Sequence, residues 1–186
     1  MSQSILVLNA GSSSLKFALY AAGAADILCR GGVSGIGGAV KVAATGAEAA
    51  FLDAAPPVPH DDHEAAVAWL LDALRRVPRL APGAAGHRVV HGGADFADPV
   101  RVDGAILNAL DRLVPLAPAH QPHNLAAIRA VEKAWPGLPQ VACFDTAFHR
   151  AVPRLAQLFP IPHALTEEGI VRYGFHGLSL IHISQG

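Results

Sequence analysis

Residues 5–20 read ILVLNAGSSSLKFALY, and this stretch decides the fold. Residues 5–9 form a short apolar run that ends at Asn9, a pattern typical of a strand buried on both faces of a sheet. After the break AGSSS, residues 15–20 alternate between Leu or Phe and other side chains. This alternation predicts a second strand that pairs back on the first through the glycine-serine turn.

The rest of the chain divides into a strand-rich beginning and a mixed remainder. ILCRGGVS and AVKVAA predict two more strands, so the first fifty residues are expected to form a β-meander. Helical periodicity covers residues 63–77, 106–113 and 125–134. Strand character begins again near residue 86 and returns over residues 140–145 and 170–177. A meander followed by alternating strands and helices favours the α/β class, with helices packed against a sheet.

The composition indicates a globular chain. Of its 186 residues, 52% are hydrophobic and 16% are charged, which excludes a disordered chain. Fourteen basic and fifteen acidic residues give a net charge of −1 without any basic run, so neither nucleic acid nor membrane is an expected partner. Cys29 and Cys143 lack the spacing of a disulfide framework or zinc site, which is typical of a cytoplasmic protein. No stretch approaches the ~20 apolar residues of a transmembrane helix.

Polar side chains lie at the ends of several predicted strands. Asn9 follows the first strand, Arg88 lies within the strand that begins near residue 86, and Asp145 and His176 end the last two. In open α/β sheets, ligands bind at the carboxyl ends of the strands. These four residues are therefore candidates for a ligand site.

Each candidate also has an ordinary structural interpretation. Residues 9–16, NAGSSSLK, suit a phosphate-binding loop, but they suit a hairpin turn equally well, and the Walker A spacing is absent. A salt bridge would explain Arg88 without any ligand, and a helix cap would explain Asp145. The histidine pairs 87/91 and 120/123 have spacings that a metal site could use, but no carboxylate accompanies them. His149 is interpreted as a surface or helix-start residue.

Five separated motifs together resemble one family. VLNAGSSSLKFALY, GHRVVHGG, APAHQPHN, VACFDTAFHR and YGFHGLS occur in the order found in acetate kinases, and the resemblance runs from Ser4 to about Ser179. It implies a ribonuclease-H-like domain of the actin, sugar-kinase and Hsp70 ATPase type, forming the N-terminal half of a two-domain kinase. Residues 1–179 are assigned to that domain, and residues 180–186 do not continue the family pattern.

The resemblance implies reversible, Mg²⁺-dependent phosphoryl transfer between ATP and acetate, giving acetyl phosphate and ADP. Family members are longer and usually homodimeric. Their second half is expected to carry the nucleotide-binding domain, a second arginine and an acidic magnesium ligand. The alternatives are a propionate or other short-chain acyl kinase, and a non-catalytic fragment.

The resemblance also assigns roles to individual residues. The residues implied in catalysis are Arg88, His120, Asp145 and His176. Those implied in binding the acyl substrate are Arg88, Val90, Ala119 and Phe175. The residues implied in binding phosphate are Ser12, Ser14 and Lys16. Asn9 is implied in binding magnesium. Ala119 stands where the family commonly has leucine, so a wider acyl pocket and some tolerance for propionate are expected.

Overall fold

The computed structural model of the chain describes residues 4–24, 26–53, 55–56, 58, 63–170 and 172–178. The strands are β1 (Ser4–Ala10), β2 (Ser14–Ala21), β3 (Ile27–Ser34), β4 (Lys41–Thr45), β5 (Pro82–Val89), β6 (Val100–Arg101) and β7 (Gln140–Phe144). The α-helices are α1 (His63–Arg75), α2 (Gly104–Asp111), α3 (Gln121–Ala134) and α4 (His163–Glu167). Short 3₁₀ helices cover Ala49–Leu52, Pro78–Leu80, Val114–Leu116, Ala147–Ala151 and Arg154–Gln157.

The strands form a seven-stranded sheet, within the residues just given, in the order β4-β3-β2-β1-β5-β7-β6. Strands β1 to β4 pair with one another in antiparallel fashion, which confirms the predicted meander. Strands β1, β5 and β7 are parallel, and β6 closes the edge in antiparallel orientation. The predicted mixed sheet with flanking helices is therefore confirmed, although the short strand β6 was not predicted.

One face of the sheet holds the hydrophobic core. Leu6 and Leu8 of β1 are 0% and 1% exposed and belong to a cluster that includes the apolar faces of α1 and α3. Ile5 and Val7 point to the opposite face and remain 36% and 37% exposed. The prediction that β1 is buried on both faces is wrong, because within the described chain the two helices pack on one side only. An apolar run with no polar alternation looks the same in either case.

A second cluster fixes the far side of the sheet, where β7 meets α2 and α3. Its largest member, Phe144, stacks on Phe96 with ring centroids 5.4 Å apart. Gly92 passes directly beneath this pair, and an added Cβ there would lie 2.8 Å from Phe144 Cγ. Gly93 adopts φ 63°, a left-handed conformation that favours glycine. The glycine pair after β5 is thus required for the chain to leave the sheet at this point.

The predicted strand over residues 170–177 is wrong. Within the described part of that segment, residues 172–176 have no regular structure and residues 177–178 are helical. Its apolar alternation resembles that of a strand, but its described backbone amides do not bond to a neighbouring strand. Arg172 N–H donates to Gln157 O, and Gly177 N–H donates to Asp145 O.

The helix boundaries differ from the prediction in one important place. Helix α3 begins at Gln121 rather than Leu125, with proline in its first turn, where a missing N–H is tolerated. Asp61 and Asp62, which directly precede α1 in the sequence, lie outside the described residues, as does the 180–186 tail. None of the helices in the described ranges is long and apolar enough to cross a membrane.

Candidate active site

Three polar side chains converge where β1, β5 and β7 end. In β1 and β5, Leu8 pairs with His87, so Asn9 lies beside Arg88 on the exposed face. In β5 and β7, Arg88 pairs with Cys143, so a residue two positions further along, Asp145, falls on the same face. Strand alternation in a parallel sheet therefore brings these three predicted residues together.

Arg88 is the centre of this cluster. Its Nε–H is 3.1 Å from both carboxylate oxygens of Asp145, and Nη2 forms an ion pair with Asp145 Oδ2. Nη1–H donates to Asn9 Oδ1 at 3.0 Å. Of the five N–H donors of a guanidinium, one on each terminal nitrogen bonds to none of the described residues. The salt bridge that the sequence analysis considered for Arg88 is therefore present. Two N–H donors of Arg88 bond to none of the described residues in addition to it.

The two partners of this ion pair are buried to different extents. The Asp145 side chain is 2% exposed, whereas the Arg88 side chain is 28% exposed. A buried carboxylate requires a paired cation, and the guanidinium fork satisfies both of its oxygens. The aspartate therefore fixes the guanidinium, whose outer edge stays open to solvent.

Buried polar side chains of α3 and of the turn after β7 hold the loops of this site in place. Asn124 Oδ1 accepts from Val90 N–H at 2.9 Å, and Asn124 Nδ2 donates to Ala10 O at 2.6 Å. Gln121 likewise bonds to both backbone groups of His91. Thr146 Oγ1 accepts from Gly92 N–H at 3.0 Å. The ends of β1, β5 and β7 are thereby tied together.

Sequence reasoning did not single out these three buried side chains. Gln121 and Asn124 lie in the motif APAHQPHN, and Thr146 follows Asp145 in VACFDTAFHR. A polar residue in a helix first turn normally indicates a solvated end, so nothing in the local pattern marked them as buried. The only available signal was their presence inside motifs already used for the resemblance.

A segment of five residues, which we call the 173–177 segment, lies against this cluster. The Tyr173 ring is 4.5 Å from the His91 ring, centroid to centroid, and the Phe175 ring is 5.7 Å from it. Gly177 N–H donates to Asp145 O at 2.9 Å. Phe175 is 38% exposed. The segment thus brings Phe175 close to the end of β5, while buried Val90 lies at that strand end.

The predicted phosphate-binding residues lie at the β1–β2 hairpin. Gly11 N–H donates to Ser14 O at 2.8 Å, which confirms the turn, and Ser12 is exposed. Lys16 pairs with Asn9 across the two strands and is exposed, so its ammonium group is on the same face as Arg88. Asn9, Ser14 and Lys16 line part of an open groove of about 610 Å³. Phosphate binding there stays a prediction.

The remaining predicted residues are exposed. Ala119 and His120 lie in the turn that precedes α3. His176 follows Phe175 and adopts φ 61°, which is rare for a residue other than glycine. Among the described residues, the structure shows no bond from these three side chains to Arg88 or Asp145. Their assigned roles stay predictions.

His87 of β5 and His91, which follows that strand, are buried and neutral. Burial lowers the pKa of His87 to about 4, and burial also lowers the pKa of His91. Gln140 Nε2 donates to the Glu132 carboxylate at 3.3 Å, so its Oε1 faces His87 and accepts from Nε2–H at 2.7 Å. His91 Nδ1 accepts from Gly93 N–H at 2.8 Å. Both rings therefore serve the fold as neutral groups.

Donors for a metal are few within the described residues. Asn9 and Asp145 supply hard oxygens of the kind magnesium prefers, and both oxygens also accept from Arg88. The described residues contain no group of three or more His, Cys, Asp or Glu side chains placed to hold a metal ion. This donor set fits magnesium only in the way that the ion often binds, through one or two protein oxygens, water and substrate phosphates.

Comparison with known proteins agrees with this fold. The mixed sheet with polar residues at the carboxyl ends of β1, β5 and β7 is the ribonuclease-H-like domain of the actin and Hsp70 ATPase class. A sequence model described as the Acetokinase family matches residues 4–186. The chain belongs to that family, as the motifs predicted.

The curated relatives are longer than this chain. An acetate kinase of Nitrobacter hamburgensis is 47% identical, over 98% of this chain and 46% of its own length. One of Rhodopseudomonas palustris is 46% identical, over 99% of this chain and 48% of its own length. The chain spans about half the length of the curated relatives it matches.

The chain also matches about half the length of related solved structures. A propionate kinase from Francisella tularensis matches with a TM-score of 0.85 at 35% identity, covering 98% of this chain and 47% of its own. The acetate kinase of Porphyromonas gingivalis matches with a TM-score of 0.73 at 31% identity, covering 95% and 46%. These matches confirm the predicted fold class.

Proposed function

We propose that this chain forms the acyl- and phosphoryl-binding half of a kinase that transfers a phosphoryl group reversibly between ATP and acetate, giving acetyl phosphate and ADP. The observation that carries this proposal is the Arg88 cluster. A guanidinium fixed by buried Asp145 and by Asn9, with one donor on each terminal nitrogen open, suits a carboxylate or a phosphoryl group. Membership of the Acetokinase family supports the same reaction.

The chemistry needs positioning more than proton transfer. Acetate has lost its proton at pH 7, since carboxylic acids ionise near pH 4, so its oxygen attacks without a general base. Charge spreads over the equatorial oxygens of the phosphoryl group in the transition state, and fixed donors stabilise it. Arg88 would hold the acyl carboxylate and the phosphoryl group, and the ion pair with Asp145 keeps its donors from reorienting during the reaction.

The other predicted residues would complete this half. His120 and His176 would donate to the phosphoryl oxygens, and Ser12, Ser14 and Lys16 would contact phosphate at the hairpin. Val90 and Phe175 would enclose the acyl methyl group, because both lie at the end of β5. The placement of the hairpin turn after β1, and of Phe175 against His91 after β5, supports these roles.

Magnesium would be held by Asn9 and, through water, by Asp145. The ion would neutralise phosphate charge when it is bound with the nucleotide. The remaining half of the family's length would supply the nucleotide-binding domain, a second arginine and an acidic magnesium ligand. A homodimer and a cytoplasmic location are also proposed for the whole protein.

The decisive experiment measures acetyl phosphate binding and turnover by the purified chain. Wild-type protein should bind acetyl phosphate in isothermal titration, and Arg88→Ala should weaken binding about tenfold to a hundredfold, since hydrogen bonds to charged groups contribute about 1.5–3 kcal/mol. Arg129→Ala is the matched control, because Arg129 forms an exposed ion pair with Asp111. It should bind as wild type does.

Turnover is tested with a hydroxamate assay for acetyl phosphate from ATP, magnesium and acetate. The chain alone should show no turnover, whereas mixing it with the second half of a curated relative should restore turnover that depends on Arg88. Binding that is equally strong in folded Arg88→Ala would refute the proposed site. Arg88-dependent turnover by the chain alone would show that the site needs no second half.

Propionate is the second candidate substrate, favoured by the small side chain of Ala119 and by the similarity to the Francisella tularensis propionate kinase. A ratio of propionyl phosphate to acetyl phosphate affinity above one would favour it. A non-catalytic fragment is the remaining alternative, and it predicts that no acyl phosphate binds.

A further inference from the structure

We propose that His149 is a positioning residue, which holds the 173–177 segment against the Arg88 cluster and so sets the positions of Phe175 and His176. The consequence for ligand binding rests on the proposed function. The contact between His149 and the segment is independent of the proposed function. His149 lies in the motif VACFDTAFHR, but its sequence context alone favours a surface or helix-start residue.

The first observation is a hydrogen bond. His149 lies in the 3₁₀ helix Ala147–Ala151, directly after Asp145 and Thr146, and is half-buried. Its Nε2 is 2.8 Å from Phe175 O. A carbonyl oxygen only accepts, so Nε2 carries the proton and donates it. The turn that follows β7 thereby holds the carbonyl that immediately precedes His176.

The second observation is a close contact at Gly174. A Cβ added at this glycine would lie 2.2 Å from His149 Cγ and 2.4 Å from Nδ1, far inside contact distance. The backbone of the segment therefore lies directly on the imidazole ring. The ring supports the segment from below, and only a residue without a side chain fits there.

The third observation concerns His176 itself. Its φ of 61° is a strained conformation for a residue with a side chain, and such conformations persist only where the surroundings fix them. Two hydrogen bonds flank it, one from His149 to Phe175 O and one from Gly177 N–H to Asp145 O. Both bonds come from the loop that carries Asp145, so this loop fixes the backbone of His176 from either side.

The test compares amide exchange and ligand binding in His149→Ala and His149→Gln. In His149→Ala, the Gly177 amide should exchange about threefold to tenfold faster, the range expected when one hydrogen bond is lost. Acetyl phosphate binding should weaken by a similar factor. His149→Gln keeps an N–H donor and should recover part of both. His163→Ala, at an exposed histidine on α4, is the matched control and should change neither.

A double substitution separates support by the ring from a general loss of stability. Gly174→Ala should disrupt the segment strongly while His149 is present, because the new Cβ meets the ring. It should be much milder in a His149→Ala background, where that space is empty. Equal effects of Gly174→Ala in both backgrounds would refute the contact.

The two proposals fail in different ways. If the folded wild-type chain binds no acetyl phosphate, the proposed function is refuted, and the Gly177 exchange rate still decides the role of His149. If His149→Ala leaves both the exchange rate and the binding unchanged, His149 is not a positioning residue. Circular dichroism of each variant establishes that it is folded.

Discussion

The two parts of the candidate site are held in different ways. The strand ends of β1, β5 and β7 are joined by buried side chains, with Gln121, Asn124 and Thr146 each at most 1% exposed. Within the 173–177 segment, residues 173–176 have no regular structure, and the backbone is held by hydrogen bonds to residues that follow β7. The guanidinium of Arg88 therefore has a rigid support. The positions of Phe175 and His176, by contrast, depend on the hydrogen bonds at Phe175 O and Gly177 N–H.

This difference separates stability from ligand binding. Substitutions that affect the strand ends should lower the free energy of unfolding, because they leave buried backbone groups without partners. Substitutions that affect the segment should change ligand binding while the fold stays intact. The following predictions test that separation, from the largest expected effect to the smallest.

The largest effect is expected from Asn124→Ala. The substitution leaves the Val90 N–H and the Ala10 carbonyl buried without a partner, at about 1–3 kcal/mol for each group. Urea denaturation should show a loss of about 2–6 kcal/mol in the free energy of unfolding. Asn108→Ala, on an exposed position of α2, is the control and should change it by less than about 0.5 kcal/mol. A small loss in Asn124→Ala would mean that the strand ends are not rigidly joined.

Low pH should reduce the free energy of unfolding through protonation of His87. Burial lowers its pKa in the folded state to about 4 from the ordinary value of 6.5, so the folded state resists protonation. This contribution to stability is complete above pH 6.5 and is lost as the pH falls from about 6.5 to about 4. The total loss is about 3 kcal/mol, at 1.36 kcal/mol for each pKa unit.

The measurement is the free energy of unfolding between pH 7 and pH 4.5, compared with His87→Phe. The difference in slope between the two proteins isolates His87 from the other titrating groups. Parallel pH profiles would show that His87 does not resist protonation in the folded state.

Gly177→Ala should affect the segment with little effect on the fold. An added Cβ would lie 2.2 Å from Asp145 O, so the segment must move and its hydrogen bond is lost. Acetyl phosphate binding should weaken about tenfold, while the free energy of unfolding changes by less than about 1 kcal/mol. Gly104→Ala, where an added Cβ meets no atom within 4 Å, is the control. A large loss of stability in Gly177→Ala would contradict the separation.

The smallest effect is expected from Ala119→Leu. If the turn before α3 borders the acyl pocket, a larger side chain should lower the affinity for propionyl phosphate relative to acetyl phosphate. A factor of about threefold is expected, below the roughly 1–3 kcal/mol for a methylene in an enclosed pocket, because Ala119 is exposed. An unchanged or higher ratio in Ala119→Leu would place position 119 outside the pocket.

Local patterns were sufficient to predict the elements of the fold. The alternation over residues 15–20 and the glycine-serine break predicted the first hairpin, and the positions of Asn9, Arg88 and Asp145 at strand ends predicted the cluster. Both predictions depend on strand geometry, which has a fixed period of two residues.

Features that depend on contacts between distant segments could not be predicted in this way. The sequence of residues 170–177 has the alternation of a strand, but the described amides of Arg172 and Gly177 donate to Gln157 and Asp145 rather than to a neighbouring strand. Likewise, Asn124 reaches across 114 positions to the carbonyl of Ala10. No local period carries that information, because it exists only once the sheet and α3 have packed together.

Asp145 uses two chemically different parts of one residue. Its carboxylate holds Arg88, whereas its backbone carbonyl holds Gly177. Every amino acid has that carbonyl, so no substitution at position 145 can delete it. A complete mutational scan of this position would therefore report on the side chain alone, and the acceptor for the Gly177 amide would be retained in every variant that folds.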